Sequence, residues 1–411
     1  MKPRTAALWA AFLAAHVLVA WQGWVYPSQP MGDVVLVYEP WSTAAVAGGA
    51  IVGITEPWVY PQLALVPMLL AKLLAWPLVG VAGASGAYLI GWAVLVTAVD
   101  AVAFGVLVGR GGTAARRSAG WFWTFALLLL GPIGLYRIDA VTVALGVIGG
   151  LWLIKRPVVA TTLLTVAAWI KIWPGALVLA AVVAARGRIR LLLTAVGACA
   201  AIVLALFLVG ADRHLLGFLT EQTERGVQIE SVAATPFMWL AHFGAASIDY
   251  SFEILTFQIG SPGVSVLAHL LTPIMVLAVM ALIVIGAVKA ARGASFPRLF
   301  PPLALALVAV LIVTNKVGSP QFQTWLIAPV ILWIIFDRTR SGLPAGIVLV
   351  LCALTCLIYP LTYDGLLRAE LLSVLLLTAR NLLLVALLVV GVRAVVLVPT
   401  KRASRRSRTR T

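Results

Sequence analysis

The residues able to do chemistry sit at the edges of long apolar runs, and they recur at a few places only. Asp33 follows Met31-Gly32, just after the first apolar run. Tyr60-Pro61-Gln62 opens a second apolar segment. Arg137 and Asp139 lie two apart in Leu135-Tyr136-Arg137-Ile138-Asp139, and Lys171 begins Lys171-Ile172-Trp173-Pro174. Arg225, Gln228 and Glu230 fall within a polar stretch from Thr223 to Ser231, and Lys316 and Gln321 within another from Asn315 to Trp325. A carboxylate can take a proton from a hydroxyl, and cations aimed at one point can hold an anion. Charged and amide groups beside apolar runs are costly without a partner or water, so the set implies one shared polar cavity.

Other residue types argue for packing rather than reaction. Cys352 and Cys356 share a helical face, but no His or carboxylate joins them, which disfavours both a metal and a disulfide; Cys199 is also in an apolar run. No Asp-x-Asp pair occurs, which argues against a metal-held diphosphate. Neither a metal nor an organic cofactor is expected. His16, His242 and His269 read as packing residues, and Asp100 as a group paired inside the bundle. His214, after Asp212-Arg213, is a minor candidate only. Trp41, Trp58, Tyr60, Trp173, Trp239 and Trp325 could stack on a flat ligand face, although rings at such places commonly anchor a chain at a membrane interface.

The elements that must position these residues follow from composition. Of 411 residues, 62% are hydrophobic and 11% charged, against about 25% charged in soluble domains. So few charges cannot cover a water-facing surface. Apolar runs long enough for a hydrocarbon core of ~30 Å recur along the chain, and within lipid such runs must be helices. Strand-type alternation is absent, which removes the β-barrel option. The expectation is an all-α integral membrane protein.

Helices are predicted over 6–25, 84–108, 119–135, 138–154, 157–170, 172–185, 190–210, 264–290, 297–314, 322–336, 344–360 and 371–398, about twelve crossings. The apolar segment 61–79 is left out of the count. With it lying on the outer surface, Lys2/Arg4, Arg110/Arg116/Arg117, Lys155/Arg156, Arg186/Arg188/Arg190, Lys289/Arg292/Arg298, Arg338/Arg340 and the C-terminal cluster all face the cytoplasm. Nearly all acidic residues then face outside. Pro61, Pro67, Lys72 and Pro77 within that segment agree. The same logic splits 157–185 into two short helices hinged at Lys171, a device that opens a watery vestibule from outside. One domain, 1–398, carries long outer loops at 26–83 and 211–263, the latter with an amphipathic stretch from Val232 to Ala245. The basic residues are otherwise scattered, so the net charge of +16 implies no nucleic acid, and the tail 399–411 reads as a cytoplasmic arm held at anionic membrane lipids. Lys2 and Arg4 before Thr5–Trp24 have a signal-peptide shape without a small-x-small cleavage site, which predicts a retained first helix.

In their order, these motifs resemble those of the GT-C membrane glycosyltransferases, and most of all glycosyltransferase family 87, actinobacterial mannosyltransferases that use polyprenyl-phosphate mannose. The resemblance rests on Asp33 in GDVVLVYEPW, Tyr60-Pro61, Arg137 and Asp139 in LYRID, KIWP from Lys171, RGVQIES from Arg225 and NKVGSPQ from Asn315. It implies a GT-C fold in a bacterial plasma membrane, with the site on the outer face. It also implies an inverting transfer of mannose from a polyprenyl-phosphate donor to a lipid-linked glycan acceptor. Asp33 would be the base. Lys171, Lys316 and Arg225 would hold the donor phosphate, with Arg137, steadied by Asp139, beside them. Tyr60, Gln228, Glu230 and Gln321 would meet sugar or acceptor. Gln62 stands where a second proline is frequent, and the 315–321 turn has no histidine, which leaves more weight on Asp33. A polyprenyl-phosphate arabinose donor fits the same residues. A transporter or lipid flippase, for which two related halves would be expected, and an inactive scaffold are the rivals.

Overall fold

The computed structural model describes residues 3–109, 112–211, 214–218, 225–251 and 256–400. The chain opens with α1 (Pro3–Val25), then a π turn (Val34–Tyr38) running into α2 (Glu39–Val46). Next come α3 (Leu65–Ala75), α4 (Val79–Val108), α5 (Ala114–Leu130) and α6 (Ile138–Trp152). A short pair, α7 (Pro157–Ile170) and α8 (Pro174–Ala184), leads to α9 (Arg188–Leu208). After α10 (Thr235–His242) the long helices α11 (Val264–Ala291), α12 (Phe296–Val313), α13 (Ile327–Phe336) and α14 (Gly342–Cys356) follow, then α15 (Tyr363–Leu367) and α16 (Leu371–Val396).

Local chemistry sets several of the boundaries. Gly109 and Gly131 end α4 and α5 with φ of 62° and 63°, a conformation that costs a glycine little. Pro157 and Pro174 stand in the first turns of α7 and α8, where a missing N–H is harmless. Lys171 is extended, at φ −150° and ψ 134°, so α7 and α8 are two helices and not one long kinked one.

Among the described residues seven helical stretches are long and apolar enough to cross a membrane, and the molecule is a predominantly helical fold of the membrane type. The other apolar helices run 10–17 residues, roughly 15–25 Å at 1.5 Å per residue. The apolar side chains are turned both ways. α12 is buried over most of its length, whereas Leu193, Val196 and Phe207 of α9 and Val266 and Leu277 of α11 lie exposed. A water-facing surface would not carry such a belt. Small residues let the helices approach: Gly286 lies against Leu303 and Val183, Gly391 against Ala306, and Gly150 against Leu332.

The segment excluded from the predicted crossings has its own place. α3 folds back on the first half of α4, where Gly91 meets the backbone of Ala71 and Ala75, and the Tyr88 hydroxyl donates to Met68 O at 3.0 Å. Trp92 Nε1, one residue on from Gly91, donates to Leu135 O in the α5–α6 junction at 3.1 Å. α3 therefore packs at the level of that junction. A left-handed Gly83, φ 70°, bends α4 near its start.

Two expectations need correction. The strand-free reading fails locally: Ser247–Ser251 (β1) pairs antiparallel with Thr256–Gly260 (β2) in the 211–263 loop. Five-residue strands inside a polar loop are too short to register as alternation beside helical runs. His16 is not a lone packing residue either. Its Nε2 lies 3.2 Å from Asp100 Oδ2 and its Nδ1 donates to Phe12 O at 2.9 Å, so it is the partner Asp100 was expected to have.

The tight α3–α4 crossing gives a test of the fold. A Cβ at Gly91 would fall 2.5 Å from Ala71 O and 2.9 Å from Ala75 N. Gly91→Val should therefore lower the thermal unfolding midpoint of the purified protein by several degrees. Gly80→Ala, which has open space, should leave it within a degree or so.

Candidate functional site

Helix ends bring the predicted residues together at one end of the bundle. Arg137 caps α6 in an extended conformation (φ −134°, ψ 146°), and its side chain turns back toward the chain that follows α1. There its Nε lies 3.2 Å from Asp33 Oδ2. Its Nη1 donates to Pro30 O at 2.8 Å and to Tyr136 O at 2.9 Å, and Nη2 to the Tyr359 hydroxyl at 3.4 Å. Arg137 is only 3% exposed. Burial opposes its charge, but Asp33, with Tyr359 and Tyr38, outweighs burial and holds the guanidinium above its ordinary pKa.

Arg137 is therefore not steadied by Asp139. Residues two apart at a helix start point in different directions, and Asp139 faces the opposite way, into the bundle. Its Oδ1 accepts a 2.5 Å hydrogen bond from Trp325 Nε1, and its Oδ2 lies 3.7 Å from Lys171 Nζ. The Lys171 ammonium also sits 4.3 Å above the Tyr60 ring. Burial pushes the Tyr60 hydroxyl above its ordinary pKa; Lys171 pulls it down, while Asp33 and Asp139 both add to the push. Asp33, Asp139, Lys171 and Tyr60 thus share one electrostatic neighbourhood. Trp41, Trp58 and Tyr60 pack edge to face at 5.4–6.0 Å beside it.

A second group forms where two irregular segments interlock. Gln228 N donates to Lys316 O at 2.9 Å. A side chain at Gly318 would collide with the Glu230–Ser231 peptide, so the Asn315–Gln321 turn lies directly on the 225–231 segment. Lys316 is buried beside Arg225, and its ammonium titrates below the ordinary lysine range, first through burial and then through that like charge. Gln228 also bridges to Gln258 of β2. Gln321 is 8% exposed, and its carbonyl accepts from the Thr324 hydroxyl at 2.7 Å.

Glu230 joins the two groups. Its carboxylate pairs with Arg380 Nη1 at 2.7 Å, and its carbonyl accepts from Arg380 Nη2. Burial pushes the Glu230 carboxyl up, against the pull of Arg380 and, more weakly, of Arg137. Asn381 carries the junction on to Ser231 O and the Thr235 hydroxyl. Beside them a cavity of about 10 Å³, lined by Glu230, Gly318, Ser319, Gln323 and Arg380 among others, has room for about one water.

Arg380, Asn381, Tyr359 and Trp325 complete the network, and the first three were not among the expected site residues. Arg380-Asn381 carried a readable signal, a charge and an amide inside an apolar run, which by itself marks a functional position. Tyr359 carried none. Of the three carboxylates, Asp139 is fully buried, Glu230 keeps 3% of its side chain exposed and Asp33 36%. Only Asp33 can be reached by an incoming molecule without rearrangement.

No protein-family model, characterised protein or solved structure matches this chain.

The buried pair gives the clearest prediction. Arg380→Met leaves Glu230 a buried charge without its partner and should destabilise the protein by roughly 3–5 kcal/mol. The double variant Arg380→Met/Glu230→Leu should recover most of that loss in chemical or thermal unfolding.

Proposed function

We propose that this protein is an inverting glycosyltransferase of the GT-C type, moving a hexose, mannose by the family resemblance, from a polyprenyl monophosphate to a lipid-linked glycan acceptor. The observation that carries the proposal is Asp33. It is the one carboxylate of the network open to solvent, held against Arg137 and flanked by the Lys171–Asp139 pair.

In this reading the acceptor hydroxyl attacks the sugar's anomeric carbon as the bond from that carbon to the phosphate oxygen breaks. The hydroxyl proton passes to Asp33. The departing polyprenyl phosphate gains negative charge, which Lys171, Lys316 and Arg225 stabilise from two sides. The anomeric configuration inverts to give an α-linked product. Arg137, already committed to Asp33 and Pro30, orients the base more than it binds phosphate. Gln228, Glu230 and Gln321 are buried, so they shape the floor of the site, while Tyr60 and its neighbouring rings offer faces for a sugar.

The reading includes about twelve crossings, with the four shorter apolar helices and α5 completing the seven long enough by themselves. The site end then faces outside and the basic clusters face the cytoplasm. Short helices meeting at Lys171 suit a cavity open to water better than a sealed span.

The test is Asp33→Asn. The amide keeps the shape and can still meet the hydroxyl, but it cannot take a proton. Sugar transfer from synthetic polyprenyl-phosphate mannose should fall about 10²- to 10⁴-fold with binding retained. Glu39→Gln and Glu56→Gln should lose much less. Near-normal transfer by Asp33→Asn would remove the mechanism.

A further inference from the structure

The chain reaches Asp33 through a strained turn. Ser28 and Gln29 are consecutive residues with φ of 58° and 48°, a left-handed conformation that costs non-glycine residues energy and rarely occurs twice in a row. Such strain persists only where surrounding groups hold it. Three groups hold this one. The Tyr359 hydroxyl donates to Gln29 O at 3.1 Å, Gly32 N donates to the same carbonyl at 2.8 Å, and Arg137 Nη1 donates to Pro30 O at 2.8 Å. The same Tyr359 hydroxyl accepts from Arg137 Nη2 at 3.4 Å, so one phenol ties the turn to the arginine that grips Asp33. Tyr359 can reach because its helix breaks there, with φ −130° and ψ 120°, a conformation that the proline after it favours.

We propose that Tyr359 is a positioning residue: through Gln29 O and Arg137 it holds the Ser28-Gln29-Pro30 turn in its strained form and so fixes where the Asp33 carboxylate points. This rests on Asp33 being the base. Tyr359 does not touch the reacting atoms in this account. Its loss lets the turn relax, and only the fraction of molecules still in the strained form keeps the base in line.

The experiment uses the full-length protein in nanodiscs, with synthetic polyprenyl-phosphate mannose as donor and octyl mannoside as acceptor. Four forms are compared: wild type, Asp33→Asn, Tyr359→Phe, and Tyr359→Phe with Gln29→Gly. Tyr359→Phe should lower kcat about tenfold, with both KM values within about twofold, and should speed hydrogen exchange across residues 28–35, Gly32 included. Gln29→Gly removes the left-handed penalty at an exposed position. It should restore protection and bring kcat back to within about threefold of wild type, which no simple packing role of the phenol would do. Unchanged exchange in Tyr359→Phe overturns the proposal whatever the activity, and so does a fall in kcat that glycine at 29 does not rescue. Should Asp33→Asn match wild type in turnover, the reading of Asp33 as base fails; a dead Asp33→Asn beside an unaffected Tyr359→Phe sinks the clamp alone.

Discussion

A charge taken out of water must meet its opposite, and in this protein that demand joins segments far apart in sequence. Arg137 finds Asp33, Lys171 finds Asp139 and Arg380 finds Glu230, each pair linking different elements at the same end of the bundle. Breaking a buried pair costs about 3–5 kcal/mol, because the partner is left charged and unsolvated. The two buried pairs, Lys171–Asp139 and Arg380–Glu230, therefore fix the relative placement of their elements, while the Arg137–Asp33 pair leaves its carboxylate partly in water. Where the α5–α6 junction, the Lys171 hinge and the 225–231 segment sit relative to α1 and α16 follows from these three contacts.

Polar backbone imposes the second demand. Residues 225–231 and 315–319 are irregular and largely buried, a condition that lipid does not tolerate unless protein satisfies the free amides and carbonyls. They are satisfied by one another and by β2: Gln228 N reaches Lys316 O, Ile259 N of β2 reaches Val227 O, and Gly318 lies flush on the Glu230–Ser231 peptide. A side chain at Gly318 would part the two segments. The charged side chains they carry, Arg225, Lys316 and Glu230, are thereby fixed without belonging to any helix.

Much of this was legible in the sequence. Apolar length gave the helices, and charge gave the break at Lys171 between two short ones. The cost of a charge beside an apolar run singled out Asp33, Arg137, Asp139, Lys171, Glu230 and Lys316. What could not be read was which of them face each other. Arg137 and Asp139 are neighbours in sequence, yet they turn apart at a helix start, and each finds its partner from another element. Tyr359 was invisible because its role depends on a helix break that brings its hydroxyl to a carbonyl 330 residues away. The β1–β2 hairpin was hidden by its shortness.

We propose that this end of the molecule receives a polyprenyl monophosphate. Equilibrium binding of radiolabelled polyprenyl phosphate to the purified protein in nanodiscs tests it most directly, with the Lys171→Ala/Lys316→Ala double variant beside the wild type. The account predicts saturable binding to the wild type and at least a tenfold weaker affinity in the double variant, since two cations facing the phosphate each contribute a charge-assisted contact. Equal affinity in the two proteins, or no saturable binding to either, would contradict it.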